Sequence, residues 1–295
     1  MTNRVFDLRS RSPLVRVNVG GVRLAYRRSG HGERVLAIHG SWDDHRSWDL
    51  VADSLRPTLD VTVYDRRGHS ASTAPPGQGS ITGDVDDAVA VIEALGLAPV
   101  HLLGHSYGAS IAMLTAVRRP DVVASLFVHE PPLFGLLADD AASDALVATS
   151  RALMGEAAEL IGRGEIEHAA RTFIDDVAFG TDSWDQLLCD RGRATMLINA
   201  DTWLDQTRDP ARFEIDVTPL RVRAVPMTLS VGTATLPWFA AIVRRLVAQL
   251  PDVRVVEIEG AGHGAHLSHG RQFADAARTH YEACASPDSV RRLPR

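Results

Sequence analysis

The stretch Gly104-His105-Ser106-Tyr107-Gly108 constrains this chain more than any other five residues in it. It stands between an apolar run, Val100 to Gly104, and a segment with apolar residues at three- and four-residue spacing, Tyr107 to Arg118. A strand that turns directly into a helix through G-x-S-x-G bends so sharply that side chains two places either side of the serine would collide. The bend lifts the hydroxyl clear of the sheet, which makes Ser106 the expected nucleophile. The helix that begins there aims free N–H groups and a positive dipole end at any oxyanion formed on it, and the Tyr107 amide is one expected donor.

The rest of the chain repeats the same rhythm. Residues alternate around Gly20-Gly21 from Leu14 to Arg28, as in a β-hairpin with a glycine turn. Apolar runs at Val35 to His39, Val61 to Asp65, Val100 to Gly104 and Ser125 to His129 then alternate with helical patterns such as Thr82 to Leu95, and Pro120 ends the helix after the serine. This order predicts a doubly wound, mostly parallel sheet. Strand character lapses after Glu130 and returns at Val225 to Val231, followed by a helix from Trp238 to Leu250, a strand from Val253 to Ile258 and a helix starting near Arg271. The division expected is a core of residues 1–130 and 217–295, with residues 131–216 inserted as a helical cap.

Composition removes several classes. With 45% hydrophobic and 23% charged residues the chain can bury a core. A formal net charge of −6, with basic residues scattered apart from Arg4, Arg9 and Arg11 near the start and Arg291, Arg292 and Arg295 near the end, gives no footprint for nucleic acid. No segment approaches the roughly 18 apolar residues of a membrane span, and the first residues lack a signal-peptide apolar stretch, so the chain reads as cytoplasmic. Cys189 and Cys284 are far apart and lack metal-ligand spacing, so neither disulfide framework nor metal site is expected. The expected partner is a small-molecule substrate, with no nucleic acid, membrane or cofactor, and a homodimer is left open.

Two further loops belong at the carboxyl edge of the sheet, where ligands bind in open α/β folds. His39-Gly40-Ser41-Trp42 leaves the strand ending at Ile38, and its Ser41 amide, with Trp42 as substitute, is the expected second oxyanion donor. His39 itself reads as structural. Gly262-His263-Gly264 follows the last strand, and a histidine there can take the serine proton and return it to the leaving group. His263 is the expected base, with His266 as competitor.

In this order the residues resemble the α/β-hydrolase superfamily: the His39-Gly40 loop, Asp65-Arg66-Arg67-Gly68-His69-Ser70, the elbow at Ser106 and the late Gly262-His263. The resemblance implies an eight-stranded sheet and serine hydrolase chemistry, while a fold so widely reused says little of substrate. It also implies a triad acid three residues after Gly232, yet that position is Thr235, and no Asp or Glu occurs from Val217 to Pro251. Glu130, directly after the strand Ser125 to His129, is the carboxylate one strand over. Its placement is similar to that of some haloalkane dehalogenases and of zearalenone lactonases, whose His-Glu-Leu-Pro string resembles His129-Glu130-Pro131-Pro132. Glu130 is therefore taken as triad acid; the bland reading is a carboxylate capping the first turn of the insertion.

Trp42, Phe134, Trp184 and Trp203 are the expected substrate contacts in an apolar pocket, although aromatic residues of an insertion more often form its own core. A neutral, largely apolar ester or lactone, attacked through an acyl-enzyme without metal or organic cofactor, is the expected substrate. Lyase, acyltransferase or perhydrolase chemistry on the same residues, and a ligand-binding module on a retired scaffold, are the alternatives.

Overall fold

The computed structural model describes residues 12–285 apart from 76, 139, 214, 223 and 224, so the basic residues noted at both ends lie outside the described residues. Its centre is an eight-stranded sheet ordered β1-β2-β4-β3-β5-β6-β7-β8. The strands are β1 (Val15–Val19), β2 (Val22–Gly30), β3 (Glu33–Ile38), β4 (Leu59–Tyr64), β5 (Val100–His105), β6 (Val123–His129), β7 (Met227–Gly232) and β8 (Arg254–Ile258). Only β2 runs against the others, pairing antiparallel with β1 and β4. The hairpin turns through Gly20 and Gly21 at φ +53° and +83°, the left-handed pair that a two-residue turn matched to strand twist needs.

Every residue of β5 is buried, as helices on both faces of a parallel sheet require. The helices are α1 (Asp49–Leu55), α2 (Ile81–Ala94), α3 (Tyr107–Arg118), α4 (Asp144–Gly162), α5 (Ile166–Thr172), α6 (Ser183–Gln186), α7 (Asp190–Ile198), α8 (Ala200–Arg208), α9 (Pro237–Gln249), α10 (Ala265–Ser268) and α11 (Gly270–Ala285). Residues of α2, α3 and α9 share one core with Leu36, Leu102 and Leu126 of the sheet. Trp48, Val51, Leu55, Phe273 and Tyr281, from α1, its approach and α11, fill the other face. The sheet and its two helical layers thus form the α/β-hydrolase fold.

Helices α4 to α8 all lie between β6 and β7, where the strand rhythm lapses in the sequence. They enclose a third core of their own around Ala157, Leu160, Ile174, Trp184 and Trp203. A single π-helical turn, Phe173–Ala178, follows α5. Among the described residues no helix is long and apolar enough to cross a membrane.

Candidate active site

Ser106 sits between β5 and α3 with φ 52° and ψ −126°, a conformation that L residues rarely hold and that tight packing enforces here. A Cβ on Gly104 would stand 2.6 Å from the Ala109 Cα, and one on Gly108 would stand 2.1 Å from the Ile38 carbonyl oxygen. Both glycines of the motif are therefore steric requirements. The loop after β3 passes directly alongside, since a Cβ on Gly40 would lie 3.1 Å from that of Ser106.

That loop is fixed from the core side by two residues. His39 Nδ1–H donates to the Gly40 carbonyl at 2.8 Å, and its Nε2 accepts the Arg66 amide at 3.0 Å. Burial and the neighbouring Arg66 charge hold His39 at about 3, so it stays neutral and structural. Arg66 adds a hydrogen bond from Nη2 to the same Gly40 carbonyl at 3.1 Å. In a trans peptide the N–H points opposite to the carbonyl, so the Ser41 amide faces away from His39 and Arg66.

His263, between β8 and α10, donates from Nδ1 to Glu130 Oε2 at 2.7 Å. With Nδ1 protonated, Nε2 keeps the lone pair a general base needs. The elbow is tied to this loop because His105 Nε2 donates to the His263 carbonyl at 2.9 Å. The two rings lie 4.7 Å apart, and Phe239 of α9 stacks flat on the His263 ring at 3.8 Å. Among the described residues no hydrogen bond closes between Ser106 Oγ and His263, and such contacts are often long before substrate tightens them.

Glu130 is fully buried at φ 44°. All of its described side-chain hydrogen bonds go to the edge of the sheet rather than to the first turn of the insertion. Gly232 N donates to Oε1 at 2.8 Å, and Thr235 Oγ1 donates to Oε2 at 2.8 Å alongside His263. Thr235 occupies the place where an acid was missing, and it points at the carboxylate one strand over. Burial alone would push the Glu130 carboxyl up, but the imidazoles of His129 and His263 and the Gly232 amide outweigh it and hold the group below its ordinary value. Burial also lowers His263, with Glu130 opposing it. His266, the competing base, lies elsewhere, with its ring 4.0 Å from that of His105 and Nε2 3.7 Å from Asp43 Oδ2.

The aromatic residues expected to line a pocket are placed differently. Trp42, Trp184 and Trp203 are buried to within 1% of full exclusion and belong to the core of the helical insertion. Trp42 packs at 5.2 Å from Trp203 and 5.4 Å from Phe173. These three side chains seal the insertion to the core, as large buried aromatics commonly do. Phe134 lies behind Phe239, 6.5 Å away, one layer removed from the imidazole. A cavity of about 370 Å³ opens beside Tyr107, and its wall mixes Arg66, Asp84, Thr202, Gln206 and Arg208. Arg66 also lies over the Tyr107 ring, 4.9 Å from its centre.

No sequence pattern marks Phe239 and Phe179 as neighbours of the imidazole, or Thr235 as a donor to Glu130. Phe179 follows the π turn and reaches within 6.0 Å of the His263 ring. A π turn is a frequent mark of a functional position, but one turn leaves no periodic signal. Among the described residues three groupings bring possible ion-binding atoms within 4.8 Å of one another: Asp43-His105-His266, His129-Glu130-His263 and Asp44-His45-Asp65. In the second and third, carboxylates already hold His263 and His45. In the first, two imidazoles on one tetrahedral ion would keep their centres about 5 Å apart, given ligand distances of about 2.0–2.1 Å, which is wider than the 4.0 Å found.

Known proteins agree with this architecture. The family model described as "Alpha/beta hydrolase family" matches residues 35–276. A lipase, LipV, of Mycobacterium tuberculosis (strain ATCC 25618 / H37Rv) is 37% identical over 99 residues, 33% of this chain and 37% of the lipase. The chain spans between 37% and 45% of the length of the first curated relatives it matches. An esterase structure from Thermogutta terrifontis superimposes with a TM-score of 0.77 at 20% identity, covering 93% of this chain and all of the other. A structure of an N-acyl homoserine lactone degrading enzyme, Est816, gives 0.70 at 21% identity over 90% of this chain and 99% of that one.

Proposed function

This chain belongs to the alpha/beta hydrolase family, and we propose that within it the protein is a serine hydrolase cleaving a carboxylic ester or lactone. In this reading Ser106 attacks the carbonyl while His263 takes its proton, and Glu130 orients the imidazole and stabilises its charged form without being protonated. The oxyanion is held by the Tyr107 and Ser41 amides, and water activated by His263 releases the acyl group. Residues 131–216 act as the cap over this site.

The observation that carries the reading is the buried Glu130 carboxylate, 2.7 Å from His263 Nδ1 and braced by Gly232 and Thr235. A buried carboxylate with a full set of donors is costly to assemble for structure alone, and at the base of a histidine beside a serine it has a chemical use. The stretch shared with the lipase supports ester chemistry.

Treatment with a fluorophosphonate followed by peptide mass spectrometry tests this directly. Labelling confined to Ser106, together with loss of nitrophenyl ester hydrolysis in Ser106→Ala, is the expected outcome. An unlabelled serine in a folded protein would favour a binding scaffold instead.

A further inference from the structure

We infer that Asn199, at the junction of α7 and α8 in the helical insertion, is a positioning residue for the oxyanion loop, with Gln206 as a second tie. The inference rests on the reading of Ser41 as an oxyanion donor. It is carried by a juxtaposition: three consecutive residues of the loop after β3 are each held by the insertion.

Ser41 Oγ donates to Gln206 Oε1 at 2.8 Å. The carbonyls of Trp42 and Asp43 both accept from Asn199 Nδ2, at 3.1 and 2.9 Å. The Trp42 ring is clasped between Phe173 and Trp203. From its other end, Asn199 Oδ1 accepts the Ser70 amide at 2.8 Å. The identity of each end of the amide follows from these partners, because two carbonyls demand the NH2 group and an N–H demands the oxygen.

Asn199 thereby clamps two non-glycine residues in left-handed backbone, Trp42 at φ 67° and Ser70 at φ 45°. Such residues persist only where their surroundings over-determine them, and they concentrate at functional sites. The loop has left the sheet at Gly40 and has no strand partner to fix it. The plane that carries the Ser41 amide is held through the Gly40 carbonyl by His39 and Arg66, and pinning the Trp42 and Asp43 carbonyls fixes planes 42–43 and 43–44, one peptide further on, so that only the intervening plane 41–42 is left to move. Asn199 is fully buried and uses both amide protons and its oxygen in this way, so no shorter or charged side chain reproduces the set. Helix α8 is sewn down in its first turn by Thr202 Oγ1 against His69 Nε2 at 3.0 Å and at its far end by the Ile81 amide, which donates to Asp209 at 2.7 Å. Helices α7 and α8 thus brace the loop that carries the proposed oxyanion donor.

Steady-state kinetics on nitrophenyl butyrate, paired with inhibition by a trifluoromethyl ketone of matching chain length, tests the assignment. Asn199→Ala is expected to lower kcat by about 10- to 100-fold, below the roughly 10²- to 10³-fold cost of deleting an oxyanion donor outright. KM should stay within about threefold, and the ketone, whose adduct carries an oxyanion, should lose affinity by the same factor as kcat/KM. Asn199→Asp, which sets a carboxylate against two carbonyls, should show the same pattern. Ser41→Ala, which cuts only the Gln206 tie, should show it at about threefold and serves if the Asn199 variants do not fold. Unchanged kcat in the folded variants, or a loss confined to KM or melting temperature, overturns the inference. Ser106→Ala run alongside separates the two readings: if it retains turnover, the serine mechanism itself fails, whatever Asn199 does.

Discussion

The two sides of the serine are held by different parts of the molecule. The side proposed to supply the base is hydrogen-bonded within the edge of the sheet: Glu130 after β6, Gly232 at the end of β7, Thr235 beyond it and His263 after β8 hold one another, and the insertion adds the Phe179 ring, 6.0 Å from that of His263. The loop proposed to carry the oxyanion donor leaves the sheet after β3, is held at Gly40 by His39 and Arg66, and is gripped beyond that point by α7 and α8. On the proposed reading, changes in α7 and α8 should act on stabilisation of the oxyanion, whereas changes at the ends of β6 to β8 should act on proton transfer.

The largest effect that could break this contrast is loss of the acid. Glu130→Gln should keep the fold and lower kcat on nitrophenyl esters by about 10³- to 10⁴-fold, as amide replacement of a triad acid does in trypsin. Near-normal turnover in a folded variant would return Glu130 to a structural role. Moving the acid to the loop after β7 is a sharper probe. The double variant Glu130→Gln/Thr235→Asp should recover about 10- to 100-fold over Glu130→Gln alone, because the Thr235 hydroxyl already lies 2.8 Å from the carboxylate that holds the imidazole. No recovery in a folded double variant would mean that the loop after β7 cannot present an acid here.

A smaller effect is expected from Thr235→Val, which removes one donor to a buried carboxylate. Such a bond is worth about 1.5–3 kcal/mol, so kcat/KM should fall by about 10- to 100-fold, with the acid still in place. Unaltered kcat/KM would show that His263 and Gly232 suffice to hold it.

The smallest effect is on pH dependence. The base works only when neutral, and burial lowers His263 below its ordinary value, so the acid limb of kcat/KM should have its midpoint below the ordinary histidine value of about 6.5. Glu130 favours the charged ring and opposes that lowering. Its replacement by glutamine should therefore move the limb of the residual activity further down. A limb that moves up would contradict the assignment of signs.

How much of this was legible in the sequence divides along the same line. The sequence marks Ser106, His263 and Glu130 as candidates because each follows an apolar strand, and strand ends of a parallel sheet share one edge. The absence of any acid from Val217 to Pro251 directed attention to Glu130, and Thr235 marked the vacated place without revealing that its hydroxyl would turn back to the carboxylate. The insertion was legible only as helical. Trp42, Trp184 and Trp203 carry no mark saying which side they face, and burial placed them in a core instead of a pocket. Asn199, Gln206, Phe179 and Phe239 meet the site through tertiary contacts between segments distant in the chain, which no local pattern encodes.

The most direct measurement of the central claim is the nitrogen and proton spectrum of His263 in protein labelled with ¹⁵N-histidine, assigned by difference from His263→Gln. The account predicts a neutral ring protonated on Nδ1, with that proton shifted strongly downfield by the carboxylate and returned toward ordinary values in Glu130→Gln. A ring protonated on Nε2, or an Nδ1 proton indifferent to Glu130→Gln, would contradict it.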